Sequence, residues 1–113
     1  MGRIFLIIYK PHKGKEQELL STVKSGYAPM ISGGYVTDRA PILMRATNGS
    51  LLLIFEWKQQ DSQDKAQADP AIQEQWMRVS KLSEFEKPES LKEFRDVFPE
   101  FESIPWEDYA QKS

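Results

Sequence analysis

Residues 35–58 read YVTDRAPILMRATNGSLLLIFEWK. Two segments rich in apolar and β-branched residues, 35–46 and 51–58, flank a short polar turn and predict two β-strands. The turn contains Asn48 and Gly49, residue types that adopt the positive φ angles of a type I′ turn, whose twist matches that of the flanking strands. The stretch therefore predicts a β-hairpin, and this is the strongest local signal in the chain.

The turn also predicts the register of the hairpin. In a two-residue loop, Ala46 lies opposite Leu51, and Arg45 points to the face that carries Leu52. Pro41 falls within the first of the two strands. Because proline cannot donate a ladder hydrogen bond, it is tolerated only on a sheet edge or at a bulge. We therefore predict that this strand is the outermost one of its sheet.

The segments on either side of the hairpin predict the remaining elements. A β-branched and aromatic run at 3–10 predicts a strand, and apolar residues at helical spacing from 14 to 31 predict a helix. Asp69-Pro70 has the pattern of an N-cap followed by proline at the first helical position, and 83–87 predicts a short strand. The order strand, helix, strand, strand, helix, strand is the ferredoxin-like βαββαβ pattern, an antiparallel sheet with both helices on one face. We predict one α+β domain over residues 1–113.

The predicted strands carry large apolar side chains on both faces. Strand 3–10 has Ile4, Leu6 and Ile8 on one side and Phe5, Ile7 and Tyr9 on the other, and strand 51–58 repeats this. Two helices cover one face, and each large side chain left exposed on the other forfeits about 1.5 to 3 kcal/mol. A symmetric homodimer would cover that face. The C-terminal extension, 89–113, is predicted to pack on the partner subunit, and partial coverage of the same face by this tail in its own chain is the alternative.

Composition excludes several classes of protein. The net charge is −2, from 15 basic and 17 acidic residues that alternate along the chain, so no basic field is available for nucleic acid. The apolar run 4–9 is too short to span a bilayer. With no cysteine and one histidine, a structural zinc site is excluded, and no cofactor is expected. The absence of cysteine fits a cytoplasmic location.

Two residues are candidates for proton transfer. His12, the only histidine, directly follows strand 3–10, where a pocket mouth can open, and imidazole titrates near neutral pH. The alternative is a solvated loop histidine. Glu56 supplies a carboxylate near the end of strand 51–58, but Arg39 lies diagonal to it on the same face, so a cross-strand ion pair is the alternative role.

Four further residues are candidate ligand contacts. Trp57 and Trp76 predict aromatic walls, which suit a flat organic molecule, and the alternative is that both are ordinary core residues. Tyr9 is a candidate hydrogen-bond donor to a ligand oxygen. Arg45 is predicted to place a cation inside the apolar chamber or at its rim.

Three segments carry a resemblance to a known family: RIFLIIYK at 3–10, LIFEWK at 53–58 and the break KAQADP at 65–70. Over residues 3–88 the chain resembles the dimeric α+β barrel superfamily, and specifically the antibiotic biosynthesis monooxygenase-like domains. The resemblance implies two sheets packed back to back, a cavity in each subunit between sheet and helices, and a C-terminal segment that reaches across the dimer.

The family resemblance also implies two activities. Members include cofactor-independent oxygenases of polycyclic aromatic substrates and haem-degrading enzymes. Gln67 stands in the break where many members carry a histidine, which counts against haem degradation. The function expected from the resemblance is binding, and possible oxidation, of a flat aromatic or polyketide-like compound, with His12 or Glu56 handling protons. The alternative is a non-catalytic ligand-binding or stress-associated homodimer.

Overall fold

A computed structural model describes residues 2–106 of the chain. The last seven residues of the predicted C-terminal extension, 107–113, lie outside the described residues. In chain order the elements are β1 (Arg3–Pro11), α1 (Glu16–Ser25), α2 (Tyr27–Ser32), β2 (Ile42–Arg45), β3 (Leu51–Trp57), α3 (Ser62–Gln67), α4 (Pro70–Leu82), β4 (Ser83–Phe85), two 3₁₀ turns (Pro88–Ser90 and Lys92–Arg95) and β5 (Glu102–Ile104).

The strands form one antiparallel sheet in the order β4-β1-β3-β2-β5. The chain is therefore an α+β protein, and the order of its first four strands is compatible with a ferredoxin-like fold. The start of α4 is as predicted: Pro70 is the first helical residue, and the Asp69 carboxylate accepts a hydrogen bond from the backbone N of Ala71 at 2.9 Å.

The prediction that the second strand is outermost is wrong, because β5 pairs with its free edge. Leu43 lies opposite Ile104 in that pairing. Pro41 does not interrupt the ladder, since β2 begins only at Ile42. The chain before it leaves the sheet except for one isolated bridge from Val36 to Trp57. Because Pro41 lies outside the ladder, its lack of a backbone N–H donor does not restrict the position of β2 in the sheet.

The hairpin forms as predicted, but its register differs by one residue. The backbone N of Ala46 donates to the Ser50 carbonyl at 2.9 Å, and the backbone N of Gly49 donates to the Ala46 carbonyl at 3.0 Å. Within this loop only Gly49 has a positive φ, +93°. The loop therefore has three residues with glycine in the left-handed position, a geometry that Asn-Gly also permits.

The new register moves side chains between faces. Arg45 lies opposite Leu51, and Met44 lies opposite Leu52. Because side chains alternate along a strand, a shift of one residue turns each of them to the other face. The prediction that Arg45 shares a face with Leu52 is therefore wrong: Arg45 lies on the helix-covered face of the sheet, with Leu43.

Each face of the sheet has its own apolar cluster. The helices pack on the face that carries Leu53, Phe55 and Trp57. On the other face, Leu91 from the C-terminal extension packs with Ile8 and Leu52. Phe94 and Phe101 cover the same cluster, with ring centroids 5.4 Å apart. Leu91, Phe94 and Phe101 of the extension thus pack on their own chain and cover part of the second face, as the alternative predicts. Ile104 and Trp106 pack instead with the cluster on the helix-covered face.

No helix among the described residues is long and apolar enough to cross a membrane.

Candidate functional site

A cleft opens beside the first half of β1. On the side of β1 away from β3, β4 pairs only with Tyr9–Pro11, so within residues 2–106 no strand lies beside the earlier part of β1 on that side. Helices α3 and α4 approach this gap. The cleft has a volume of about 380 Å³. Its lining residues are Phe5, Leu6, Ile7, Ile8 and Tyr9 from β1, Gln63 and Gln67 from α3, Trp76 from α4, and Phe85 and Glu86.

The break between α3 and α4 positions the helical wall of the cleft. Asp69 ends the break, caps α4 and accepts a hydrogen bond from the Tyr35 hydroxyl at 2.7 Å. The Tyr35 hydroxyl lowers the pKa of Asp69, which keeps the capping carboxylate ionised. Trp76 lies four residues after the buried Ile72 and three before the buried Val79, so it shares the inward face of α4. It is half-buried at the cleft.

A smaller cavity of about 50 Å³ lies deeper, between sheet and helices. It adjoins the cleft, since the two spaces share the lining residues Phe5, Ile7, Tyr9, Gln63 and Trp76. Tyr27 and Trp57 also line the inner cavity. The hydroxyl of Tyr27 and the indole Nε1 of Trp57 are buried without a hydrogen-bond partner among residues 2–106.

Three of the predicted ligand contacts line these spaces. Tyr9 and Trp76 line both the cleft and the inner cavity, and Trp57 lines the inner cavity. The ring of Tyr9 lies 5.7 Å from that of Phe85, its cross-strand partner. Burial raises the pKa of Tyr9, so its hydroxyl keeps the proton at neutral pH and is a donor and not a base.

His12 lies outside both spaces. Its imidazole Nδ1 is 3.1 Å from the Lys81 carbonyl, and its backbone N donates to the Leu82 carbonyl at 2.8 Å. The imidazole is exposed beside the C-terminal end of α4. These contacts agree with the alternative prediction of a solvated loop histidine.

Glu56 is held in the predicted ion pair with Arg39. Its Oε1 accepts hydrogen bonds from the Thr37 hydroxyl at 2.8 Å and from Arg39 Nε at 3.1 Å. The Thr37 hydroxyl, and after it the Arg39 guanidinium, hold the pKa of Glu56 below its ordinary value. Because these bonds stabilise the charged form, they make the carboxylate a weaker base.

The two predicted proton carriers are not brought together. Glu56 lies opposite Ile4 near the start of β1, and His12 follows the end of that strand. His12 follows Ile4 by eight positions, which in an extended chain with a rise of about 3.3 Å per residue is roughly 26 Å. Neither lines the cleft or the inner cavity.

Arg45 is engaged elsewhere as well. Its Nη1 lies 2.8 Å from Glu102 Oε1 on the neighbouring β5. Arg45 is not among the residues that line the cleft or the inner cavity.

Sequence reasoning missed three polar residues of the cleft, Gln63, Gln67 and Glu86. The glutamines lie four residues apart on α3, a helical spacing that the sequence did contain. Glu86 had no such signal. Its carboxylate accepts hydrogen bonds from the Ser50 hydroxyl at 2.6 Å and from the Ser90 hydroxyl at 3.2 Å. Ser50 is fully buried and 36 residues distant in sequence, so only folding creates this contact.

The residues that line the cleft offer binding groups, and neither predicted proton carrier is among them. The cleft has aromatic walls, two side-chain amides and one oriented carboxylate. Within residues 2–106, no three side chains of His, Cys, Asp or Glu come together as a metal site would require. No model of a known protein family matches this chain, and no curated protein is significantly similar to it in sequence.

Proposed function

We propose that the chain binds a flat, largely apolar small molecule in the cleft between the edge of β1 and helices α3 and α4. The observation that supports this proposal is the volume of the cleft together with the residue types that line it. A cleft of about 380 Å³ falls within the roughly 300 to 1,000 Å³ typical of ligand pockets. Its walls include Phe5, Trp76 and Phe85, and aromatic walls favour flat ligands.

The polar groups of the cleft are few and well placed to orient a ligand. Ser50 and Ser90 hold the Glu86 carboxylate, which is therefore a fixed acceptor for a ligand hydroxyl or amine. Gln63 and Gln67 offer amide donors and acceptors on the opposite wall. A small number of polar groups in a mainly apolar pocket is the usual composition of a site for an organic molecule.

The proposal is for binding and not for catalysis. The residues predicted to move protons, His12 and Glu56, lie outside the cleft and are engaged in other contacts. The resemblance to antibiotic biosynthesis monooxygenase-like domains supports a cavity between sheet and helices, but its oxygenase chemistry has no supporting residue in this cleft. The non-catalytic ligand-binding protein is thus the better-supported of the two expected functions.

Naphthalene is a suitable probe for the cleft. In a titration followed by ¹H–¹⁵N NMR, we expect saturable shifts of the Trp76 indole signal and of the amides of β1. Trp76→Ala removes one aromatic wall and should weaken naphthalene binding by about tenfold. Met77→Ala is the matched control, because Met77 is the next residue of α4, is exposed and does not line the cleft. Shifts that do not saturate, or that map away from β1 and α4, would refute the proposal.

We also propose that two copies of the chain pair through the second face of the sheet. Ile4 and Ile42 are 62% and 53% exposed on that face. They flank Ile54, which lies opposite both Leu6 and Ile42 in the two ladders. A contiguous apolar patch of this kind is typical of an interaction site.

The C-terminal extension carries a second exposed apolar segment, Val97 and Phe98, which we call the projection. Val97 and Phe98 are 85% and 90% exposed and lie between Phe94 and Phe101, the two rings that cover the second face. Each copy thus carries both a projection and a patch. A two-fold axis lets the projection of each copy lie against the patch of the other, which is what a self-complementary interface requires.

Sedimentation velocity tests the dimer at micromolar concentration. We expect a particle of twice the 13.1 kDa chain, and Ile42→Lys should convert it to a monomer because a lysine in the patch leaves a buried charge. Met77→Lys is the control, since Met77 is equally exposed but lies on α4, over the other face. A wild-type particle of one chain would contradict the dimer without affecting the ligand proposal.

A further inference from the structure

Among residues 2–106, two buried hydrogen-bond donors without acceptors belong to residues that line the inner cavity. Tyr27 and Trp57 are each 3% exposed. The hydroxyl of Tyr27 and the indole Nε1 of Trp57 have no hydrogen-bond partner among residues 2–106. Buried polar groups are almost always hydrogen-bonded, so two such groups in one small domain indicate a missing partner.

The two donors belong to one place in the fold. Tyr27 and Trp57 line the same inner cavity. Both rings also contact Phe55, with centroid distances of 6.0 Å for Tyr27 and 4.9 Å for Trp57, and both meet it edge to face. Both aromatic side chains therefore lie at the same part of the sheet, around Phe55.

Both groups require an acceptor. An indole N–H is a donor only. Burial raises the pKa of Tyr27 to about 12, so its hydroxyl keeps its proton at neutral pH. A pair of N–H and O–H donors suits a carbonyl oxygen, which has two lone pairs and accepts two hydrogen bonds.

The inner cavity is large enough for such a group and adjoins the cleft. Its volume of about 50 Å³ exceeds the roughly 30 Å³ that one water molecule occupies in the liquid. It therefore has room for an oxygen atom and the carbon that bears it. Gln63 and Trp76, both half-buried, belong to the walls of both spaces.

We propose that the inner cavity is a carbonyl subsite, in which Tyr27 and Trp57 donate hydrogen bonds to the oxygen of a flat aromatic ketone whose ring system occupies the cleft. The inference rests on the proposed ligand-binding function and narrows its ligand class. An ordered water molecule is the competing occupant of the cavity, since a water also accepts from two donors.

Chromone and naphthalene form a matched pair of probes, because both are flat bicycles and only chromone has a ring carbonyl. Tyr27→Phe removes the hydroxyl and keeps the ring, so the fold should be preserved. We expect this variant to bind chromone about tenfold more weakly, as the loss of one hydrogen bond implies, and to bind naphthalene within twofold of the wild type.

Infrared difference spectroscopy of chromone labelled with ¹³C at the carbonyl gives a second readout that needs no variant. We expect the carbonyl stretch of bound chromone to lie below its position in an apolar solvent, and to move back toward it in Tyr27→Phe. The subsite is refuted if the carbonyl stretch of bound chromone matches that in the apolar solvent. It is also refuted if Tyr27→Phe changes the affinities for chromone and naphthalene equally, which is the result expected if the cavity holds only water. Failure of both probes to bind the wild type would instead refute the proposed function itself.

Discussion

The carboxylate of Glu93 accepts two hydrogen bonds from Thr47, one from the backbone N at 2.8 Å and one from the hydroxyl at 3.0 Å. Glu93 belongs to the 3₁₀ turn Lys92–Arg95 of the C-terminal extension and is only 5% exposed. Thr47 lies in the loop of the β2–β3 hairpin. This contact therefore ties the extension to the hairpin and helps to hold Leu91 against the second face of the sheet.

The first prediction concerns the pH dependence of stability. The backbone N–H of Thr47 holds the pKa of Glu93 below its ordinary value of 4.5. A group with a lowered pKa in the folded state stabilises the fold above its unfolded pKa, and this contribution is lost as the pH falls through the folded pKa. Glu93→Gln should therefore lower the free energy of unfolding at pH 7 and reduce its decrease below pH 4.5.

Urea unfolding at a series of pH values measures this effect. Glu56 and Asp69 also have lowered pKa values. The stability of the variant will therefore still decrease in acid, and the test is whether it decreases less than that of the wild type. Glu100→Gln is the control, because Glu100 is an exposed residue of the same extension. Equal acid slopes for Glu93→Gln and the wild type would show that the bonds to Thr47 do not form in solution.

A second prediction tests whether the extension is part of the fold. Leu91 is almost fully buried against Ile8 and Leu52. Leu91→Ala should lower the free energy of unfolding by about 2 to 5 kcal/mol, the usual cost of truncating a buried leucine. Glu89→Ala, at an exposed position two residues earlier, should change it by no more than about 0.5 kcal/mol. A small effect of Leu91→Ala would mean that the extension is not packed on the sheet.

The third prediction concerns the hairpin loop. Gly49 has a φ of +93°, and a Cβ there would meet no other atom within 4 Å. The cost of Gly49→Ala is therefore backbone strain alone, about 1 to 2 kcal/mol. Chemical denaturation measures it. If Gly49→Ala leaves stability unchanged or raises it, φ at this position is negative. In that case alanine fits without strain and stabilises the protein, because it reduces the conformational entropy of the unfolded chain.

The fourth prediction separates the cleft from the residues that sequence reasoning assigned to it. His12→Ala and Glu56→Gln should leave the dissociation constant for naphthalene within twofold of the wild type, because neither residue lines the cleft or the inner cavity. Isothermal titration calorimetry measures both constants. A loss of tenfold or more in either variant would place the ligand elsewhere on the sheet.

Much of the fold follows from local patterns. The strand at 3–10, the hairpin around Asn48-Gly49 and the helix beginning after Asp69 were all predicted, because each is encoded by neighbouring residues. The hairpin register was not, because Asn-Gly is compatible with both a two-residue and a three-residue loop. The strand β5 was also missed. Its three residues, Glu102–Ile104, have no strong strand pattern and pair only because the edge of β2 is free to receive them.

The residues of the candidate site were likewise predicted only in part. Tyr9, Trp57 and Trp76 were predicted as ligand contacts from their aromatic character and their positions on strands and a helix, and all three line the cleft or the inner cavity. His12 and Glu56 were predicted as alternative proton carriers from their residue types and from their positions near the ends of strands. The two side chains lie at opposite ends of β1. This distance depends on how the strands pair, and the residue types do not predict that.

Local sequence patterns are enough to predict the α+β class, the hairpin, the capped helix α4 and the apolar character of both sheet faces, because periodicity and turn chemistry act between residues close in the chain. The three-dimensional packing was needed to find the hairpin register, the fifth strand, the position of the cleft and the orientation of Glu86 by Ser50. These features depend on contacts between segments distant in sequence. Such contacts form when apolar faces pack together, and no local pattern specifies which distant groups then become neighbours.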